Sequence, residues 1–153
     1  RWWSWCRAWT SNPALFVHPN GTHYMAYKAL DRSPWMRASI GMAWSECASC
    51  KFKDWHDGPL FDVNIEDPYM YMNGSRMEML LHSHKRNTDY AVWHASAEQR
   101  TFKLDASGFR LREPWDIRQR PAILFDRHNK PVGLLNGARA TDTEHSITIV
   151  EPI

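Results

Sequence analysis

The sequence has no run of about eighteen consecutive apolar residues, so it contains no segment that would cross a membrane as a helix. It also lacks any block or stripe of one charge. Nineteen Lys+Arg against seventeen Asp+Glu leave a net charge of only +2, scattered along the chain. Tracking a phosphate backbone needs clustered cations, so nucleic acid is not the expected partner. Helical periodicity is missing as well, and Trp115-Asp116-Ile117-Arg118 is too short to count as a helix. Cysteine is scarce: Cys6, Cys47 and Cys50 allow one disulfide and leave one thiol. The Cys47-x-x-Cys50 pair has no second Cys or His pair at ribbon-like spacing, which favours a disulfide or plain buried thiols over zinc. The opening residues, Arg1-Trp2-Trp3-Ser4-Trp5-Cys6, show neither an initiator Met nor the apolar core of a signal peptide. They read as the start of a processed chain or of a piece of a longer one.

What is present is aromatic. Nine Trp, five Tyr and six Phe stand beside eight His, a set of side chains that suits flat, polar, uncharged ligands such as sugars. Apolar residues at 43% and charged residues at 24% exclude a disordered chain. A length of 153 residues suits one domain, 1–153, with a sizeable core.

Self-similarity organises that domain. Asn12-Pro13-Ala14-Leu15-Phe16-Val17, Asp67-Pro68-Tyr69-Met70-Tyr71-Met72 and Arg120-Pro121-Ala122-Ile123-Leu124-Phe125 each open with a polar residue and a proline. Each leads through a turn (His18-Pro19-Asn20-Gly21, Asn73-Gly74, Asp126 to Lys130) into a second apolar run. Pro13, Pro68 and Pro121 lie 55 and 53 residues apart. Every unit reads as a β-hairpin, with the proline at the first residue of a strand, where its missing N–H interrupts no ladder. Asn20-Gly21 and Asn73-Gly74 also begin sequons, but their primary reading is the type I′ hairpin turn. Further strands follow at Ser39–Ser45, Tyr90–Ser96 and His145–Val150. About fifty residues holding roughly four short strands is the size of a propeller blade. The expected fold is therefore all-β, an incomplete β-propeller of about three four-stranded antiparallel blades, with repeats near 11–60, 65–112 and 118–153. The competing architecture is a β-sandwich with coincidental spacing. Open blade edges would offer a surface for self-association.

In a propeller the innermost strands line one axis, so polar residues at their starts converge. That places Asn12, Glu66-Asp67 and Gln119-Arg120 around a common cavity, with His82 and His84 on one face of a neighbouring strand. Ser83, His84 and Asp89 could be drawn as a triad, but no nucleophile-elbow pattern accompanies them. Trp44, Trp55 and Trp93 read as blade-packing residues rather than sugar platforms.

The order polar-Pro-strand, Asn-Gly turn and second strand, with Glu66-Asp67-Pro68 in the middle unit, resembles the five-bladed β-propeller glycosidases of the arabinanase/β-xylosidase and invertase/levansucrase type. His94-Ala95-Ser96, Phe102, Arg118 to Asp126 and Leu134-Leu135-Asn136-Gly137 extend the likeness over most of residues 11–137. The resemblance implies three inner-strand acids: a base or nucleophile, an Asp that holds the sugar, and a Glu general acid. Such a division suits acetal cleavage, where one carboxyl is protonated while another stays ionised. By that resemblance Asp67 matches the sugar-holding Asp, with Glu66 or a carboxylate from outside this chain as its catalytic partner. Asn12 stands at the first acidic position and Gln119 at the third, and an amide neither relays a proton nor attacks a sugar carbon. Asn12, His82, His84, His94, Gln119 and Arg120 form the expected substrate-binding set. No metal ligand set or cofactor is assigned, although comparable propellers seat an ion on the axis near a histidine. The expected function is binding or cleaving glycosidic bonds in oligo- or polysaccharides, outside the cytoplasm (secreted or periplasmic). The alternative is a non-catalytic carbohydrate-binding or self-assembling β module.

Overall fold

A computed structural model describes residues 9–31, 37–56, 58–61, 63–83, 92–98, 101–109, 115–140 and 145–153. They form three antiparallel meanders. The first orders β1 (Trp9–Val17), β2 (His23–Leu30), β3 (Ala38–Ser45) and the two-residue β4 (Lys53–Asp54) side by side. The second orders β5 (Ile65–Asn73), β6 (Arg76–Ser83), β7 (Val92–Glu98) and β8 (Thr101–Phe109) in the same way. The third has three strands rather than the four expected: β9 (Trp115–Phe125), β10 (Pro131–Ala140) and β11 (Ser146–Pro152). The segment Trp115–Arg118 is the beginning of β9.

Alternation along β6 decides how the sheets stack. Met77, Met79 and Leu81 point to one face and join Ala26, Ile40 and Met42 of the first sheet, with Met70 and Phe102, in one core. Leu80, on the opposite face, joins Tyr71, Val92, Ile123 and Leu134 in a second core against the third sheet. The second sheet is thus buried on both sides, which is why its strands read as nearly continuous apolar runs. The chain after β4 closes one edge of the first core: the Leu60 N–H donates to Ile40 O at 2.7 Å and the Trp55 N–H to Met42 O at 2.8 Å. Trp55 meets Tyr24 edge-on and packs against the first core, and Trp44 lies under the Lys53 ammonium.

The prolines do not open the strands. β1 and β9 begin several residues earlier, and Pro13, Pro68 and Pro121 sit inside β1, β5 and β9. Register shifts interrupt the ladder there, between Ser11 and Ala14, between Glu66 and Tyr69, and opposite Leu135–Gly137. A bulge leaves a residue outside the pairing, which is the other place a strand tolerates a residue without an N–H. The residues before the prolines take left-handed backbone: φ is 50° at Asn12, 49° at Asp67 and 50° at Arg120.

The turns also differ from the expected type I′ form. The His18–Gly21 turn closes with Gly21 N–H donating to His18 O and His18 N–H to Thr22 O, and only Gly21 has positive φ. Asp126–Asn129 repeats that arrangement with Asn129 in the left-handed position. Both are three-residue loops in which a left-handed residue follows a tight turn. Asn73 pairs with Arg76, so the central residues of the second turn are Gly74-Ser75, and a lone positive φ at Gly74 fits type II′. Asn20 and Asp126 act through their side chains instead, accepting from Thr22 N–H at 3.0 Å and from His128 N–H at 2.8 Å.

Candidate functional site

Three equivalent bulges aim three side chains at one place. Asn12-Pro13, Asp67-Pro68-Tyr69 and Arg120-Pro121-Ala122 line an open cleft of about 350 Å³ where β1, β5 and β9 come together. Bulges re-aim side chains, and left-handed residues outside turns are uncommon for anything but Gly, Asn and Asp. Left-handed backbone repeated at three matching positions makes this cleft the candidate site.

Asp67 is the centre. Its Oδ1 accepts a hydrogen bond from Asn12 Nδ2, and its Oδ2 lies 3.7 Å from both Arg120 Nε and His82 Nδ1. Glu66, on the preceding residue, is occupied separately: Oε2 is ion-paired with Lys28 Nζ and Oε1 lies 3.3 Å from His82 Nε2. His82 is 1% exposed and stands between the two carboxylates. Pairing explains the arrangement, because Glu66 is directly opposite His82 on β6, and Ser11, before the first bulge, is directly opposite Lys28 on β2. Lys28 and His82 therefore hold matching places in two sheets.

The expected site residues divide accordingly. Asn12, Asp67 and Arg120 line the cleft, and Glu66 and His82 sit immediately behind it. Gln119 occupies the position of Ser11 and Glu66 rather than that of Asp67; it pairs with Gly137 and is exposed. The guanidinium of Arg120 is thus what the third bulge presents. His94 belongs elsewhere. Its Nε2 is 2.9 Å from Oε2 of the fully buried Glu78, which also accepts from Ser96 Oγ. Glu78 is four residues from His82 along β6, about 13 Å for an extended chain. His84, like Asp89, lies outside the described residues. Cys47 and Cys50 form a disulfide. Among the described residues no group of three or more His, Cys, Asp or Glu is arranged to hold a metal ion.

Lys28 and Glu78 lie outside the expected set of site residues. A single charge inside an apolar run was the signal in each case: Met25-Ala26-Tyr27-Lys28-Ala29-Leu30 and Met77-Glu78-Met79-Leu80. Beside Glu78, the Tyr71 phenol is pushed up to about 12, by burial first and then by the charge of Glu78.

Antiparallel meanders stacked face to face, with their first strands meeting at a shared cleft, are blades of a β-propeller. More particularly, the chain has the fold of part of a propeller glycosidase. It superposes on a xylan β-1,4-xylosidase from Bacillus halodurans with a TM-score of 0.65 and 14% identity, over 93% of this chain and 30% of that one. An endo-arabinase from Bacteroides thetaiotaomicron matches with a TM-score of 0.61 and 12% identity, over 94% of this chain and 56% of that one. A glycosyl hydrolase from Bacteroides ovatus gives 0.62 and 17%, over 94% and 48%. The chain therefore spans between about a third and just over half the length of these structures. No protein-family model matches the sequence, and comparison with curated proteins finds no match.

Proposed function

We propose that the cleft binds a glycan, with Asp67 accepting hydrogen bonds from sugar hydroxyls while Asn12 and Arg120 donate. The convergence of Asn12, Asp67 and Arg120 at three matching bulges carries this reading. The fold likeness to a xylosidase and an endo-arabinase supports it. The disulfide between Cys47 and Cys50 supports placement in an oxidising, secreted or periplasmic compartment.

Holding is favoured over cutting within this chain. Acetal hydrolysis needs one protonated and one ionised carboxyl. Asp67 is the only acid among the three left-handed bulge residues, and both oxygens of Glu66 already face Lys28 and His82. Cleavage remains the second reading, favoured by the short span of the matched structures that this chain covers. In that case acids from elsewhere in a longer protein would complete the reaction.

Calorimetric titration with arabinan, xylan and fructan oligosaccharides, run beside a reducing-sugar assay, separates the readings. Saturable binding that weakens at least about tenfold in Asp67→Ala, without sugar release, is the expected result. Sugar release that vanishes in Asp67→Ala would establish cleavage instead. If no glycan of any class binds, the proposal fails.

A further inference from the structure

We infer that the cleft selects glycans carrying a carboxylate, that is, uronic-acid units, with Arg120 as the group that receives the acid. The inference rests on the glycan reading above and narrows it to a substrate class.

The argument begins with what Arg120 does not do. Its side chain is 84% exposed, and its nearest charged partner, Asp67 Oδ2, is 3.7 Å from Nε, beyond hydrogen-bonding distance. An exposed pair of that kind contributes little to stability. Asp67 has nearer support in any case, since its Oδ1 accepts from Asn12. Yet Arg120 keeps φ at 50°, a conformation that suits Asn12 and Asp67 at the matching positions far better than a long side chain. A strained backbone thus presents an exposed guanidinium at the cleft. Such a planar fork matches a carboxylate with two parallel hydrogen bonds.

The neighbouring charges leave the guanidinium available to an anion. Glu66, behind the cleft, is ion-paired with Lys28, and Asp67 accepts from Asn12 through Oδ1, so neither acid ties up Arg120. Hydroxyl recognition by Asn12 and Asp67 then supplies sugar selectivity, while Arg120 supplies acid selectivity.

A methyl ester removes the charge of a uronate and keeps the sugar. Titrating the full chain with an oligogalacturonide and with its methyl ester is therefore the deciding experiment, alongside a sulfated and a neutral oligosaccharide. The free acid is expected to bind about tenfold or more tightly than the ester. Arg120→Met should erase that preference, the free acid losing about tenfold more affinity than the ester or the neutral sugar, and Arg120→Lys should restore only part of it. Unchanged thermal melting of both variants would show that loss of binding is not loss of fold. Equal affinity for acid and ester overturns the inference while sparing the glycan reading, as does a preference for the sulfated sugar or a preference for the free acid that survives in Arg120→Met. Failure of every glycan to bind overturns both.

Discussion

At Arg120 recognition and stability pull in opposite directions. A left-handed φ costs a long side chain about 1 kcal/mol relative to glycine, which adopts it freely. Arg120→Gly is therefore expected to stabilise the fold by up to about 1 kcal/mol in urea unfolding while weakening ligand binding. A loss of stability would mean that the guanidinium has a structural role. Tyr71 provides a second test. Its phenol is raised from 10.0 to about 12, through burial first and then Glu78 and Tyr69, with Arg76 opposing. Between those pH values the unfolded chain releases a proton that the folded chain retains, so stability is present below pH 10 and falls as pH rises. Over the full interval the loss is about 2–3 kcal/mol. Urea midpoints at pH 9 and 11 should therefore fall further in the wild type than in Tyr71→Phe; an identical fall would remove Tyr71 as the cause.

Elements show what proline and glycine mean in a sheet. Polar-Pro before an apolar run reads equally as a strand start or as a bulge, because both leave the missing N–H unneeded. The structure selects the bulge, since Trp9–Ser11 and Trp115–Gln119 pair upstream of it. Glycine at Gly41 has a different purpose. It faces Tyr27 across the β2–β3 ladder, and a Cβ there would run into the tyrosine ring. Gly41→Ala should destabilise by about 1–3 kcal/mol, with partial recovery when Tyr27→Ala is added. Equal and additive losses in the two single variants would show that ring and glycine do not interact. The three hairpins and their turns were legible from apolar runs and turn residues, Asn-Gly in the first two and Asp126 to Lys130 in the third. Their turn types were not, because φ at Asn20 and Asn73 depends on loop length rather than on the dipeptide alone.

Across the whole molecule, polar links cross between blades at the axial end. Lys28 of the first sheet meets Glu66 of the second, and Asn12 meets Asp67 alongside. Removing one partner of a largely buried ion pair strands the other. Lys28→Met should cost about 2 kcal/mol in urea unfolding, and Lys28→Met with Glu66→Gln should cost less than the single change. If the double variant is no better than the single, Lys28 acts by packing rather than by charge. Among the described residues the flanking sheets leave apolar side chains uncovered, Leu15 and Val17 on β1 and Ile147 and Val150 on β11.

By itself the sequence determined the repeat, the all-β class, the meeting of Asn12 with Asp67, and the resemblance to propeller glycosidases. Those features are local or periodic, and an apolar run with a turn signal encodes them within a few residues. Only the tertiary structure decided that Arg120, not Gln119, completes the cleft, that Lys28 and His82 occupy Glu66, and that His94 serves Glu78 instead. One inserted residue at a bulge exchanges the faces of everything before it. Which face each side chain takes is set by pairing with strands some fifteen residues away and by sheets some fifty residues away, where no short pattern reaches.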